Sequence, residues 1–108
     1  MRRGEIYLVK RPGKGDPKRR RPFVVVSRQV LIDSAYASVI CAPVYSSRIG
    51  LSSQVEIGVD EGMKQPCAVH CDGLVSVAKS DLTDFLGLLD DQKLDELDRA
   101  LRVALDLD

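Results

Sequence analysis

Apolar residues in this chain change their spacing near residue 90, and this change limits the folds that the chain can adopt. Before that point they form short runs rich in Val, Ile and aromatic residues, separated by Gly, Pro, Asp and Ser. Such runs are typical of short β-strands at the spacing of a small barrel or sandwich, rather than of βαβ units. Later apolar residues recur with a helical period, at Leu94, Leu97, Ala100, Leu101, Ala104 and Leu105.

Five segments are predicted to form strands. PFVVVS is apolar almost throughout and is expected to be buried on both faces, with Pro22 at its first position, where no ladder hydrogen bond is lost. QVEIGV alternates clearly, with Val55, Ile57 and Val59 on one face. The remaining three segments are EIYLVK, ASVICAPV and CAVHCDGLVSV.

Two helical segments are predicted after the strands. KSDLTDFL is expected to form a short helical turn, with Ser80 as its cap, and the helix that follows is expected to begin at Asp90 or Asp91. The apolar stripe of that helix is expected to pack on the strands, or in part at a dimer interface. The prediction is a mainly β (α+β) chain that forms one domain over residues 1–108, mostly antiparallel and closed off by a C-terminal α-helix.

The zero net charge of the chain conceals a segregation of charge between its two halves. Residues 1–48 contain eleven Lys and Arg against three Asp and Glu, whereas residues 49–108 contain five against thirteen. The basic half suggests a polyanion such as nucleic acid as a partner, although the two halves could instead neutralise each other within the fold. The densest cations directly precede the second strand, at Lys18, Arg19, Arg20 and Arg21.

Cysteine content and hydropathy bear on location and on metal binding. Three cysteines, an odd number, fit reduced thiols, and no signal peptide or membrane-spanning run is evident, so a cytoplasmic location is expected. The motif CAVHC invites a zinc interpretation, but strand alternation puts Cys67 and Cys71 on one face and His70 on the other. No metal is therefore expected. His70 is interpreted as a partly buried sheet residue, with general base as the alternative.

The order of these segments resembles the MazF/PemK family of toxin endoribonucleases, the toxic halves of bacterial type II toxin–antitoxin pairs. The segments that carry the resemblance run from Arg3 to Leu107 and comprise RRGEIYLV, RRPFVVVS, APVYSSR, QVEIGV, CDGLVSV and LGLLDDQKLDELDRALRVALDL. Each segment alone is a weak signal. Their shared order and spacing make the resemblance specific.

The resemblance implies a fold, an activity and partners. The fold would be a small SH3-like or CcdB-like antiparallel β-barrel, in a homodimer that binds RNA along its groove. The activity would be metal-independent and cofactor-free cleavage of single-stranded RNA at short sequences, by attack of the ribose 2′-OH, leaving 2′,3′-cyclic phosphate and 5′-OH ends. A cognate antitoxin with an acidic, disordered segment would cover the RNA site, and no membrane would be involved.

The resemblance also implies site residues. The catalytic Arg of the family directly precedes the Pro that opens the second strand, which is Arg21 here. The family's catalytic Thr or Ser aligns with Tyr45, so Ser46 supplies the hydroxyl after a small shift, the Tyr45 phenol replaces it, or activity is reduced; Ser46 is the preferred candidate. Further candidates for RNA binding are Lys18, Arg19, Arg20, Tyr45, Ser47, Arg48, Ser53, Gln54 and Asp72.

Two other functions fit the same sequence. A gyrase poison of the CcdB type would leave RNA intact and would depend on the tip of the C-terminal helix rather than on Arg21. An RNA-binding module that has lost catalysis would be consistent with Tyr45 at the hydroxyl position.

Overall fold

The computed structural model describes residues 1–10 and 20–108. Seven strands in this part of the chain form one bent sheet in the order β4-β5-β3-β2-β1-β7, with β6 paired to β3, and every strand pair is antiparallel. The strands are β1 Glu5–Lys10, β2 Arg20–Val25, β3 Ser38–Tyr45, β4 Gln54–Ile57, β5 Cys67–His70, β6 Val75–Ala78 and β7 Phe85–Leu88. The helices are α1 Gln29–Ile32 and α2 Asp91–Ala104. This half-barrel with a C-terminal helix confirms the predicted fold class.

Strand β3 holds the two parts of the sheet together. One of its edges pairs with β2, while its other edge pairs first with β6, over Ser38–Cys41, and then with β5, at Val44 and Tyr45. An eight-residue strand can serve three partners in this way because β6 and β5 share successive segments of one edge. The last residue of β3, Tyr45, pairs with Ala68 of β5 and lies two residues beyond Pro43, which pairs with Phe23 of β2.

The core of the described residues divides into two clusters on either side of this bend. The larger cluster fills the space between the sheet and α2, and Leu97 and Ala100 of the helix are buried in it. The smaller cluster lies beside α1 and is formed by Tyr7, Val9, Phe23, Val25, Ile32, Val39, Cys41, Val77 and Leu82. Consecutive residues of β2 alternate between the two clusters, which confirms that this strand is buried on both faces.

Helix α2 begins as predicted. The Asp90 carboxylate accepts a hydrogen bond from the backbone N–H of Lys93 at 2.8 Å, which satisfies one of the first N–H groups of the helix. The apolar stripe also packs on the larger cluster as predicted, except at its last position. Leu105 lies beyond the end of the helix and is exposed.

Four local predictions were wrong, and one element was missed. Strand β2 begins at Arg20, so Pro22 is its third residue rather than its first. CAVHCDGLVSV forms two strands, because a 3₁₀ turn over Cys71–Gly73 interrupts it, and a Cβ at Gly73 would crowd the ring of Pro43. In KSDLTDFL, only Lys79–Asp81 is helical, without Ser80 as its cap, and Phe85 starts β7, because pairing with β1 outweighs the local preference. Val59 starts a 3₁₀ turn and is exposed rather than buried with Val55 and Ile57. The single turn α1 was not predicted.

Candidate functional site

Arg21 lies at the end of the sheet, where it is held by both the backbone and a ring of β3. The β2–β3 register pairs Phe23 with Pro43, and continued by two residues it places Arg21 opposite Tyr45. The guanidinium donates a hydrogen bond from Nη1 to the Val44 carbonyl at 3.1 Å, and its central carbon lies 4.1 Å from the centre of the Tyr45 ring. A half-buried, permanently charged group is thereby fixed at one point of the surface.

The Tyr45 ring is itself in contact with β5. Its edge-to-face partner is His70, with 4.8 Å between the ring centres and 75° between the ring planes. The Nε2 atom of His70 lies 2.9 Å from the carbonyl oxygen of Ser47. Because a carbonyl only accepts hydrogen bonds, Nε2 is the nitrogen that carries hydrogen in this contact.

Three candidate residues follow Tyr45 and are exposed, namely Ser46, Ser47 and Arg48. Ser46 is adjacent in sequence to the residue that supports the Arg21 guanidinium, so its hydroxyl is close to this group along the chain. Arg48 is directed elsewhere, because its Nη1 lies 4.0 Å from the carboxylate of Glu56 on β4. This pair brings Arg48 to β4, the outer strand of the sheet.

A polar group lies on β4 and on the turn after β5. The hydroxyl of the buried Ser53 donates to the Asp72 carboxylate at 2.5 Å. Gln54 pairs with His70 across β4 and β5, so the two side chains lie on one face of the sheet. The side-chain oxygen of Gln54 is buried and has no hydrogen-bond partner within residues 1–10 and 20–108. These three predicted residues are thus brought to the His70 side of the site.

The basic segment before β2 is described only from Arg20 onward, and the predictions for Lys18 and Arg19 fall outside the described residues. The Arg20 guanidinium lies 3.4 Å from the Asp84 carboxylate, and both side chains are about half exposed. Arg3 forms a closer pair with Asp98 of α2, at 2.8 Å. Some basic residues of the first half are therefore paired with acidic residues of the second half. This agrees with the interpretation that the two halves partly neutralise each other within the fold.

The three cysteine thiols are free and buried. Burial raises the pKa of Cys41 to about 12 and, together with the nearby Asp72 carboxylate, the pKa of Cys71 to about 11. Burial also raises the pKa of Cys67, while the Arg48 cation opposes that shift. Across the described part of the chain, no three His, Cys, Asp or Glu side chains are grouped so that they could hold a metal ion. As the alternation predicted, Cys67 and Cys71 lie in the larger core cluster, away from His70.

Neither helix found among the described residues has both the length and the apolar character needed to cross a bilayer.

Sequence reasoning missed the role of His70 as a neighbour of Tyr45. The only signal available was the strand alternation, which put His70 on the outer face. Its contact with Tyr45 depends on the β3–β5 register, which pairs Tyr45 with Ala68, two residues away from His70. Neither segment by itself determines that register.

Comparison with known proteins gives consistent matches. Residues 2–105 match the family described as PemK-like, MazF-like toxin of type II toxin-antitoxin system. Endoribonuclease MazF3 of Mycobacterium tuberculosis is 30% identical over 88 residues, which cover 82% of this chain and 84% of that protein. Endoribonuclease MazF6 of the same organism is 29% identical over 110 residues, which cover 97% and 96%.

Solved structures show the same architecture. The Mycobacterium tuberculosis toxin MazF-mt6 superimposes with a TM-score of 0.83 at 26% identity, and the match covers 96% of this chain and 98% of that one. A mycobacterial endoribonuclease in complex with its cognate antitoxin also gives a TM-score of 0.83, at 24% identity, over 98% and 95% of the two chains.

Proposed function

Since the chain belongs to the family of PemK-like and MazF-like toxins of type II toxin–antitoxin systems, we propose that it cuts single-stranded RNA at short specific sequences without a metal ion. The chain is an endoribonuclease, as its relatives are named. The proposed step is attack of the ribose 2′-oxygen on the adjacent phosphorus. The bond to the 5′-oxygen breaks, and the products carry a 2′,3′-cyclic phosphate and a 5′-OH.

Arg21 is the proposed source of electrostatic stabilisation. In-line attack by the 2′-oxygen builds negative charge on the phosphoryl oxygens, so a fixed cation at that point lowers the barrier. The observation that carries this proposal is the guanidinium held against the Val44 carbonyl and the Tyr45 ring. A group already held in place needs little reorganisation when the charge develops, and this is the condition under which such donors are most effective.

Ser46 is the proposed hydroxyl donor to a phosphoryl oxygen, and Tyr45 is proposed to act through its ring. The face of the Tyr45 ring is occupied by Arg21, which supports a role as a platform for the cation. Ser46 is exposed and follows directly after, so its hydroxyl is accessible to a bound phosphate. This division of roles explains why a Tyr at the usual hydroxyl position is compatible with activity.

The remaining candidates are proposed to bind the RNA along the sheet. The cations Lys18, Arg19, Arg20 and Arg48 are proposed to contact the RNA backbone, where phosphate contacts supply most of the affinity. Base edges are proposed to be read on the His70 side of the site, by polar groups that suit unstacked single-stranded bases, namely Ser47, Ser53, Gln54 and Asp72.

The proposed partners and location follow the family. We propose a homodimer that works in the cytoplasm and is inhibited by a cognate antitoxin with an acidic, disordered segment. A structural relative that forms a complex with its antitoxin supports this partner. An acidic segment could replace the RNA phosphates on the basic residues that precede β2.

The test uses a long single-stranded RNA, purified protein and EDTA, with both ends of every fragment mapped. We expect discrete cuts with cyclic phosphate and 5′-OH ends, and a rate for Arg21→Ala that is lower by about 100- to 1000-fold. Arg99→Ala is the matched control, because it removes an exposed cation of α2. Intact RNA with the wild-type protein would refute cleavage, and wild-type cleavage by a folded Arg21→Ala would refute the role of Arg21.

A further inference from the structure

His70 is a half-buried residue that none of the proposed steps uses, although it contacts the residue that supports Arg21. Its ring meets the Tyr45 ring at 4.8 Å and 75°, and the Arg21 guanidinium covers the same Tyr45 ring at 4.1 Å. Three flat groups, a guanidinium, a phenol and an imidazole, therefore follow one another across β2, β3 and β5. Aromatic pairs favour this edge-to-face geometry, so His70 restrains the tilt of Tyr45.

The imidazole is itself fixed in position. On one side, Nε2 donates to the Ser47 carbonyl at 2.9 Å, which ties the ring to the segment just after Tyr45. On the other side, Gln54 faces His70 across the β4–β5 pair. The ring is thus held by a backbone hydrogen bond, and its contact with Tyr45 passes this fixed position on.

We propose that His70 is a positioning residue that keeps the Tyr45 ring, and through it the Arg21 guanidinium, at the reacting phosphate. This inference rests on the proposed function of Arg21. The proposed role depends on the position of the ring, which the Nε2 hydrogen bond anchors to the Ser47 carbonyl. The proposal predicts that loss of the His70 ring lowers the cleavage rate rather than the RNA affinity, because small displacements of a catalytic group lower the rate more than they weaken binding.

The test separates the ring of His70 from its hydrogen bond. His70→Ala removes both, His70→Gln keeps an N–H donor without a ring, and His70→Phe keeps a ring edge without the donor. Single-turnover cleavage with excess protein measures the chemical step, and the Kd for RNA methylated at every 2′-oxygen measures binding without cleavage. Because Ala and Gln are matched in lacking the ring, His70→Gln serves the same purpose if His70→Ala does not fold.

We expect His70→Ala and His70→Gln to cleave about fivefold more slowly, as loss of one aromatic pair predicts, with Kd unchanged within about twofold. His70→Phe is expected to restore the rate to within about twofold of the wild type. In a Tyr45→Leu background, His70→Ala is expected to add less than about twofold, because its effect passes through the ring that is already absent.

Three results would overturn the proposal. If His70→Phe is as slow as His70→Ala, the imidazole itself is needed. If the losses of His70→Ala and Tyr45→Leu multiply, His70 does not act through Tyr45. If Kd rises as much as the rate falls, His70 contributes to binding. Two further results separate the proposals: intact RNA with the wild-type protein refutes the proposed function, and wild-type cleavage by Arg21→Ala refutes the role of Arg21 on which this inference rests. Slow Arg21→Ala with fast His70→Ala refutes only the role of His70.

Discussion

Replacement of Tyr45 measures how much the support of Arg21 contributes to the reaction. The guanidinium carbon lies 4.1 Å from the ring centre, and both side chains are half-buried, so their attraction lies between the exposed and the desolvated limits. Those limits suggest about 1 to 2 kcal/mol. If the transition state needs the supported position, Tyr45→Leu lowers the cleavage rate by about 5- to 30-fold.

Tyr45→Phe provides the matched comparison, because it keeps the ring and removes only the hydroxyl. Single-turnover cleavage of one RNA by wild type, Tyr45→Phe, Tyr45→Leu and Ser46→Ala is the assay, with urea unfolding as the measure of folding. We expect Tyr45→Phe to stay within about twofold of wild type, whereas Ser46→Ala falls by about 100-fold or more, as loss of one oxyanion donor predicts. The reasoning fails if Tyr45→Phe is as slow as Tyr45→Leu while Ser46→Ala is fully active, since the phenol then supplies the hydroxyl.

Three further predictions concern stability. Burial raises the pKa of Cys41 from 9.0 to about 12 and that of Cys71 to about 11, so the unfolded chain loses these protons first above pH 9. The contribution of these thiols to the free energy of unfolding is therefore complete below about pH 9. It declines by about 1.4 kcal/mol per thiol per pH unit up to about pH 11. Urea titrations at several pH values should find this slope reduced in the double variant Cys41→Ala/Cys71→Ala. Leu97→Ala, at a fully buried site on α2, should lower the free energy of unfolding by about 2 to 5 kcal/mol in urea titration, and a loss below about 1 kcal/mol would contradict the packing of α2 on the sheet. Asp90→Ala should cost about 1 kcal/mol by removing the cap on Lys93, whereas Asp90→Asn should retain most of it.

The elements that the sequence predicted well carry their signal within a few neighbouring residues. The apolar run of β2 and the cap at Asp90 depend on residues within one strand or one helical turn, and both were confirmed. Strand β7 was missed because FLGL is short and its glycine weakens the strand signal of Phe85. Its Gly87 lies so close to the carbonyl of Glu61 that an added Cβ would overlap it, so tertiary packing decides the conformation there.

The candidate site shows the same division. Arg21 was identified from its position before Pro22, a local feature, and in the structure it is the second residue of β2. The contacts between Arg21, Tyr45 and His70 join residues of three strands, and they depend on registers that no single segment encodes. The pairing of Arg48 with Glu56 likewise required the fold, because the two residues are joined through the turn before β4.

Two arginines that are proposed to contact RNA are paired with carboxylates of the same chain, Arg20 with Asp84 and Arg48 with Glu56. Without RNA, these carboxylates act as the counterions of the two arginines. Binding RNA is then an ion exchange, in which a phosphate takes the place of a carboxylate and a negative charge of the protein is left to collect a cation from solution. Each such exchange takes up one cation and so offsets one of the counterions that the RNA releases. The RNA affinity therefore falls less steeply with salt concentration than the number of arginine–phosphate contacts would predict. An acidic antitoxin segment must likewise displace Asp84 and Glu56 before it can bind these two guanidinium groups.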